Sequence, residues 1–102
     1  MPTLVDDLGG WLTARMDARA AWDRGGEVVA SDIDELVDAI SSYGSELVIV
    51  SPEVGLTIVP ATASGRLFAD QLGALNQAVA QHCQRVLLVV AGQPLAIKGA
   101  AE

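Results

Sequence analysis

Glu46-Leu47-Val48-Ile49-Val50-Ser51-Pro52-Glu53-Val54-Gly55-Leu56-Thr57-Ile58-Val59-Pro60 reads as a short apolar strand, Glu46–Val50, running straight into a loop that carries a carboxylate and a glycine. In an open α/β sheet, ligands bind in the crevice beyond the carboxyl ends of parallel strands, where loop backbone, helix N-termini and a few polar side chains converge. The stretch therefore predicts both a fold class and the place to look for chemistry.

Toward the carboxyl terminus, the spacing predicts a long helix from about Ala63 to His82, with Phe68, Leu72, Leu75 and Val79 on its buried stripe. Gly73 in its middle costs about 1 kcal/mol relative to alanine, which predicts close approach of another backbone. Arg85–Ala91 is a continuous apolar run of the kind buried on both faces of a parallel sheet. Gly92-Gln93-Pro94 turns the chain, and Leu95–Lys98 returns as a short edge strand, where an initial proline is tolerated.

Toward the amino terminus, Thr3–Val5 is a short strand followed at once by Asp6-Asp7. Leu8, Trp11, Leu12, Met16 and Ala20 follow helical spacing up to Arg24-Gly25-Gly26. Ser31 and Asp34 form an acidic variant of the capping box ahead of Ile33, Leu36, Val37 and Ile40, predicting a second helix that ends at Tyr43-Gly44. Its acids Asp32, Asp34 and Glu35 lie in the first turn, where the helix dipole favours each by about 0.3–1 kcal/mol, and the run to Asp38 reads as a solvated face. The order strand, helix, helix, strand, helix, strand, hairpin describes half of a parallel α/β sheet with three parallel strands. One flank is then unpaired and apolar, which predicts self-association or a partner that supplies strands.

With 102 residues there is room for one domain, residues 1–102. Hydrophobic residues make up 51% of the chain and aromatic ones 4%, so the core has to be aliphatic. The net charge of −7 is unevenly placed: residues 1–53 hold 11 acids and 3 bases, residues 54–102 hold 2 acids and 3 bases. One lysine and five scattered arginines argue against nucleic acid, and an acidic surface disfavours anionic membranes. Cys83 is the single cysteine, so no disulfide forms within the chain, and with His82 it is too little for a metal site. No segment approaches the roughly 18 continuous apolar residues of a membrane span, and the reading is a cytoplasmic protein.

From Val48 to Lys98, the patterns V-I-V-S-P-E-V-G-L-T-I-V-P, R-L-F-A-D-Q-L-G-A-L-N-Q-A-V-A and R-V-L-L-V-V-A-G-Q-P-L-A-I-K follow one another. They closely resemble the carboxyl-terminal half of the bifunctional adenosylcobinamide kinase/adenosylcobinamide-phosphate guanylyltransferase family of cobalamin biosynthesis. Leu4–Thr13 resembles that family's strand ending in an acid and the helix after it, so the likeness spans nearly the whole chain. The resemblance implies a RecA-like, P-loop nucleoside triphosphatase fold: part of a three-layer α/β architecture, with a mostly parallel sheet and a C-terminal hairpin. It further implies an oligomer, GTP or ATP with Mg2+, phosphorylation of the aminopropanol arm of adenosylcobinamide, and transfer of GMP through a guanylylated histidine.

Departures from the family pattern are equally specific. No G-x-x-x-x-G-K-S phosphate loop occurs in these 102 residues, and Lys98, the only lysine, is followed rather than preceded by glycine. His82 falls in the long helix at a position the family does not use for GMP transfer. Pro52 stands where the family has asparagine, Asp7 where it has cysteine, and Gly9-Gly10 where it has bulkier residues. The residues assigned to a nucleotide face are Asp6, Gly9, Glu53 and Gly55, with Asp6 also the metal-side acid; no catalytic residue is assigned.

Each assignment has a competing structural reading. Asp6 is a magnesium-side acid or a solvated helix-start aspartate, and Asp7 a helix N-cap. Glu53 orders a ribose hydroxyl, a metal-bound water or a neighbouring subunit's backbone, or it caps local amides. For Arg66, an i+4 salt bridge to Asp70 explains as much as a phosphate contact. His82 reads as a dipole partner at the helix end, Cys83 as a small buried side chain, Trp11 as core and Trp22 as partly exposed. Two functions follow: a kinase/guanylyltransferase-like part, inactive alone, whose partner is a second copy or a complementary amino-terminal domain; or a non-catalytic module for oligomerisation or docking to another corrinoid-pathway enzyme.

Overall fold

The structure, a computed structural model, describes residues 1–99; the last three residues of the expected 1–102 domain lie outside them. Strand β1 (Thr3–Asp6) pairs in parallel with β2 (Leu47–Val50), in the register Thr3↔Leu47 to Asp6↔Val50. Alternation along each strand sends Val5 and Ile49 onto the core, while Leu4, Val48 and Val50 face away and stay 64%, 52% and 42% exposed.

Helix α1 (Leu8–Ala18) starts where the Asp7 side chain accepts the Gly10 N–H at 2.8 Å, so the N-cap reading of Asp7 holds. Leu8, Leu12 and Met16 are completely buried. The single helix predicted up to Arg24 is broken: Ala20 takes a left-handed conformation (φ 53°), α2 is one turn (Ala21–Arg24), and a 3-10 turn follows (Gly26–Val29). The reversal puts Ala21 and Val29, both fully buried, into the same core as Leu12 and Met16, which a straight helix cannot do.

Helix α3 (Ala30–Ser41) makes no Ser31 capping box; its N-cap residue is Val29, which has no side-chain cap bond, and Ser31 lies inside the first turn. The helix continues directly from the 3-10 turn, whose Glu27 carbonyl already accepts the Ala30 N–H, so that orphan donor needs no side chain. Asp32 is a second correction. It is buried rather than solvated, and Arg19 grips it with Nε and Nη2, each at 3.0 Å.

Helix α4 (Ala63–Ala80) is capped by Thr62, whose hydroxyl accepts the Gly65 N–H at 3.0 Å, and buries Leu72, Leu75 and Val79. Phe68 is half-buried, stacked on Trp22 with ring centroids 6.2 Å apart. No backbone closes on Gly73; a Cβ there would meet only the Val54 side chain, at 3.7 Å.

Strands β3 (Val86–Val90) and β4 (Gln93–Lys98) form an antiparallel hairpin. Its two turn residues, Ala91 (φ 52°) and Gly92 (φ 74°), are both left-handed, as a type I′ turn requires. The predicted third parallel strand is therefore not joined to the others: there are two sheets of two strands, β1-β2 and β3-β4. Nor is β3 buried on both faces, since Leu87, Val89 and Val90 are exposed. The core, Leu8, Leu12, Met16, Ala21, Val29, Leu72, Leu75 and Val79, lies wholly on helices and their connections. The fold is a small mixed α/β arrangement of one parallel pair and one hairpin, with the helical core packed against Val5 and Ile49 on one face of the parallel pair. No helix among the described residues is long and apolar enough to cross a membrane.

Candidate functional site at the carboxyl ends of the parallel strands

The two acids after β1 part company at the strand end. Asp7 is consumed as the α1 cap, while Asp6, the register partner of Val50, is exposed on the sheet face turned away from the core. At the carboxyl end of a parallel strand, it has no cationic partner among the described residues.

Beyond β2 the chain is fixed by Asn76 of α4. The Ser51 hydroxyl bonds to Asn76 Oδ1, and Asn76 Nδ2 donates to the Pro52 carbonyl at 2.9 Å. One half-buried amide thus satisfies both its donor and its acceptor side on consecutive loop residues, which sets the direction in which the loop leaves the sheet. Gly73, one turn earlier on the same helix face, receives Val54. In the sequence, Gly73-Ala74-Leu75-Asn76-Gln77 is part of the pattern that carries the resemblance, with no role assigned to Asn76. The available signal was a polar amide three residues after a helical glycine, beside the apolar stripe.

Gly9 is buried directly against Pro52. A Cβ on Gly9 would lie 3.2 Å from Pro52 Cγ and 3.4 Å from Asp7 Oδ1. Two departures from the family pattern thus form a single contact, the proline ring seated on the first turn of α1. The Glu53 carboxylate turns back to accept the Gly55 N–H, so the capping of a local amide is realised here, and both residues are exposed. Leu56, Ile58 and Val59 follow, at 73%, 93% and 74% exposure.

The remaining sequence candidates sort readily. Arg66 makes no ion pair with Asp70; its Nη1 donates to the Pro60 carbonyl at 3.2 Å and braces the end of the loop. Cys83 packs half-buried beside the core, with its Sγ 3.4 Å from the Val79 carbonyl, and Trp11 packs partly buried against the same core. Trp22 is half-buried, and its Nε1 donates to Asp17 at 2.6 Å. His82 lies exposed at the carboxyl end of α4, where the last carbonyls are bonded by Lys98, whose Nζ donates to those of Ala80 at 2.8 Å and Gln81 at 3.3 Å.

Charge is paired elsewhere on the molecule, around Asp32. The hydrogen bond from Arg19 holds the Asp32 carboxyl below its ordinary range and raises the Arg19 guanidinium, with burial opposing both. Arg15 stands 3.9 Å from the same carboxylate. A shallow depression of about 280 Å³ is lined there by Trp11, Arg15, Asp32, Glu35 and Leu36. Another, of about 320 Å³, lies at the start of α4 between Trp22 and Phe68. Neither is lined by Asp6, Gly9, Glu53 or Gly55.

Among the described residues no three His, Cys, Asp or Glu side chains gather as a metal cluster. Magnesium at a nucleotide site needs only one or two carboxylates, because phosphates and waters complete its octahedron. Asp6 can be one such ligand. The described residues place neither a second acid nor a lysine beside it in any hydrogen bond or ion pair, so by themselves they do not make a magnesium–nucleotide site.

Fold and candidate site together define a small mixed α/β domain in which Asp6 and the Asn76-held loop after β2 stand at the carboxyl ends of a parallel strand pair. Residues 1–97 match the family described as cobinamide kinase / cobinamide phosphate guanyltransferase, and the chain belongs to that family. It is 35% identical over 96 residues to the bifunctional adenosylcobalamin biosynthesis protein CobP of Pseudomonas aeruginosa, covering 94% of this chain and 53% of that protein. It is 34% identical over 95 residues to the bifunctional adenosylcobalamin biosynthesis protein CobU of Salmonella typhimurium, covering 93% of this chain and 51% of the relative. The CobU protein of Escherichia coli is 35% identical over 72 residues, 71% of this chain and 40% of its own length. The chain spans about half the length of the curated relatives it matches.

Proposed function

We propose that this chain supplies one wall of a nucleotide-dependent site in cobalamin biosynthesis, and that it is incompetent in catalysis until further polypeptide completes the site. The observation that carries the reading is the latched corner at the strand ends: Asp6 open to solvent, and the Ser51–Gly55 loop held in place by Asn76. The reaction class is that of the family, phosphorylation of cobinamide and guanylyl transfer to the product, on a P-loop type of fold with GTP or ATP and Mg2+. Asp6 would stand on the magnesium side, and Gly9, Glu53 and Gly55 would line the nucleotide face. What these 102 residues lack is the amide cradle and lysine that neutralise transferring phosphates, the largest part of the electrostatic work in such chemistry. The missing groups come from a complementary amino-terminal polypeptide. A single cysteine and an acidic, disulfide-free chain suit the cytoplasm.

A second reading, a non-catalytic module for self-association or for docking to another corrinoid-pathway enzyme, is favoured by Pro52, whose ring fills the space over Gly9. Calorimetric titration of the purified chain with Mg-GTP and with adenosylcobinamide phosphate, alongside its mass in solution, separates the two. The first reading expects no saturable GTP binding by the chain alone and its appearance when the unmatched half of the P. aeruginosa protein is added. A stable dimer or trimer that binds no nucleotide even then sinks the first reading, whereas tight GTP binding sinks the second.

A further inference from the structure

The loop after β2 is held by its two prolines, each in the same two ways. The Pro52 ring lies against Gly9 in the first turn of α1, and the Pro60 ring against Gly65 in the first turn of α4, where an added Cβ would come 2.9 Å from Pro60 Cβ. Each carbonyl then takes a side chain of α4: Pro52 accepts from Asn76 Nδ2 at 2.9 Å, and Pro60 from Arg66 Nη1 at 3.2 Å. Between these clamps the side-chain bonds of the described residues are local. The Glu53 carboxylate accepts the Gly55 N–H, and the Thr57 hydroxyl donates to the Val54 carbonyl at 3.3 Å.

The near clamp is the one that bears on Glu53. The Pro52 carbonyl and the Glu53 N–H belong to one planar trans peptide and point in opposite directions across it, so the bond from Asn76 also aims that N–H, away from Asn76 itself. No bond among the described residues uses the Glu53 N–H. The Pro60 clamp lies seven positions further on. Val54, partly buried over Gly73, and the Pro52 ring on Gly9 press the loop onto the helices. Apolar contact has no preferred direction, however, whereas a hydrogen bond weakens steeply as it bends, so the rotation of this peptide is set by the amide.

That amide can stand only one way round. A carbonyl has no proton to give, so Nδ2 faces Pro52; Oδ1 then faces Ser51, whose hydroxyl has to be the donor. An aspartate of the same shape keeps the Ser51 bond but sets a carboxylate oxygen against the Pro52 carbonyl, acceptor against acceptor.

We propose that Asn76 is a positioning residue of the nucleotide-dependent site: it orients the Pro52–Glu53 peptide, and with it the Glu53 N–H and carboxylate, for the nucleotide without touching the nucleotide itself. This rests on the reading that the chain supplies part of such a site, and it adds a residue of α4 that governs the site from behind.

The test mixes the 102-residue chain with the unmatched half of the P. aeruginosa protein, produced as a separate polypeptide, and titrates in Mg-GTP well below the melting temperature, where lost stability alone leaves affinity untouched. Asn76→Asp weakens Mg-GTP binding by about tenfold or more, and Ser51→Ala, which removes only the donor to Oδ1, by about threefold or more. Asp32→Asn, which costs stability at the remote contact with Arg19, binds as the parent chain does. In the 102-residue chain alone, Asn76→Asp quickens amide exchange at Gly55 severalfold and leaves Leu88 of the hairpin unchanged. Parent-like affinity in both loop variants, in a mixture whose parent binds Mg-GTP, overturns the positioning role and leaves the site reading intact; a parent mixture that binds no Mg-GTP overturns both. An equal loss in Asp32→Asn makes the effect one of stability and overturns the proposal, as does unchanged exchange at Gly55. Should Asn76→Asp fail to fold, Ser51→Ala carries both readouts.

Discussion

Arg19 closes on Asp32 through two 3.0 Å hydrogen bonds across a sequence separation of 13, tying the end of α1 to the start of α3. The carboxyl is held below its ordinary value of 3.8, first by that hydrogen bond. A depressed folded-state value means that the unfolded chain binds the proton more readily. The stabilisation is therefore fully present above the ordinary value and is lost as pH falls through the lower, folded one. Asp32→Asn lowers the melting temperature at pH 7, and the gap from the parent chain narrows as the pH falls below the ordinary carboxylate value, as read from melting temperatures across a pH series. At the other end of α1, Gly9→Ala forces a methyl to within 3.2 Å of the Pro52 ring and destabilises by about 1 kcal/mol. Pro52→Ala in the same chain recovers much of that loss, and a denaturation double-mutant cycle returns a coupling of about 0.5 kcal/mol or more. Neither contact was legible beforehand. Asp32 carried the pattern of a solvated first-turn acid, and Gly9 and Pro52 are 43 positions apart.

Local patterns marked the elements well where nearest neighbours decide them. Strands at Leu47–Val50 and Val86–Val90, the stripe Leu72, Leu75, Val79 and the Asp7 cap all lie where alternation, 3.6-residue spacing and cap chemistry put them. The failures are at the joints. Ala20 is left-handed although alanine pays about 1–2 kcal/mol there, because burying Ala21 and Val29 outweighs that strain. Ala91 carries the same cost in the hairpin turn, where asparagine followed by glycine is the preferred pair. Ala91→Asn accordingly stabilises the hairpin by about 0.5–1 kcal/mol, seen as slower amide exchange at Leu88 and Leu95. Lys98 extends the point: a residue with no assigned role is the strap that holds β4 to the end of α4.

The helices of this molecule are far better covered than its strands. Every fully buried side chain belongs to a helix or to the connections between helices, while Leu4, Val48, Val50, Leu87, Val89, Leu95 and Ile97 stand exposed on the strands. These side chains are the apolar surface that the proposed complement would cover. The isolated chain binds an environment-sensitive apolar dye strongly, and adding the unmatched half of the P. aeruginosa relative lowers that signal severalfold; an unchanged signal would mean that this surface is not where the complement sits. The candidate site follows the same logic, for Asp6 sits on that bare face beside Val50.

The sequence alone determined what depends on residues within a few positions of one another: most of the kinds of element, the cap at Asp7, and the motifs that carry the family. Only the tertiary structure decided which groups meet across 13, 18 or 24 positions, as Asp32 meets Arg19, Lys98 meets Ala80 and Asn76 meets Pro52. It likewise decided that the strands divide into two separate pairs, in which every strand keeps one edge unpaired. Hydrophobic periodicity fixes which way a side chain points relative to its own backbone. The partner it finds there depends on how the elements pack and on how many strands are present to pair.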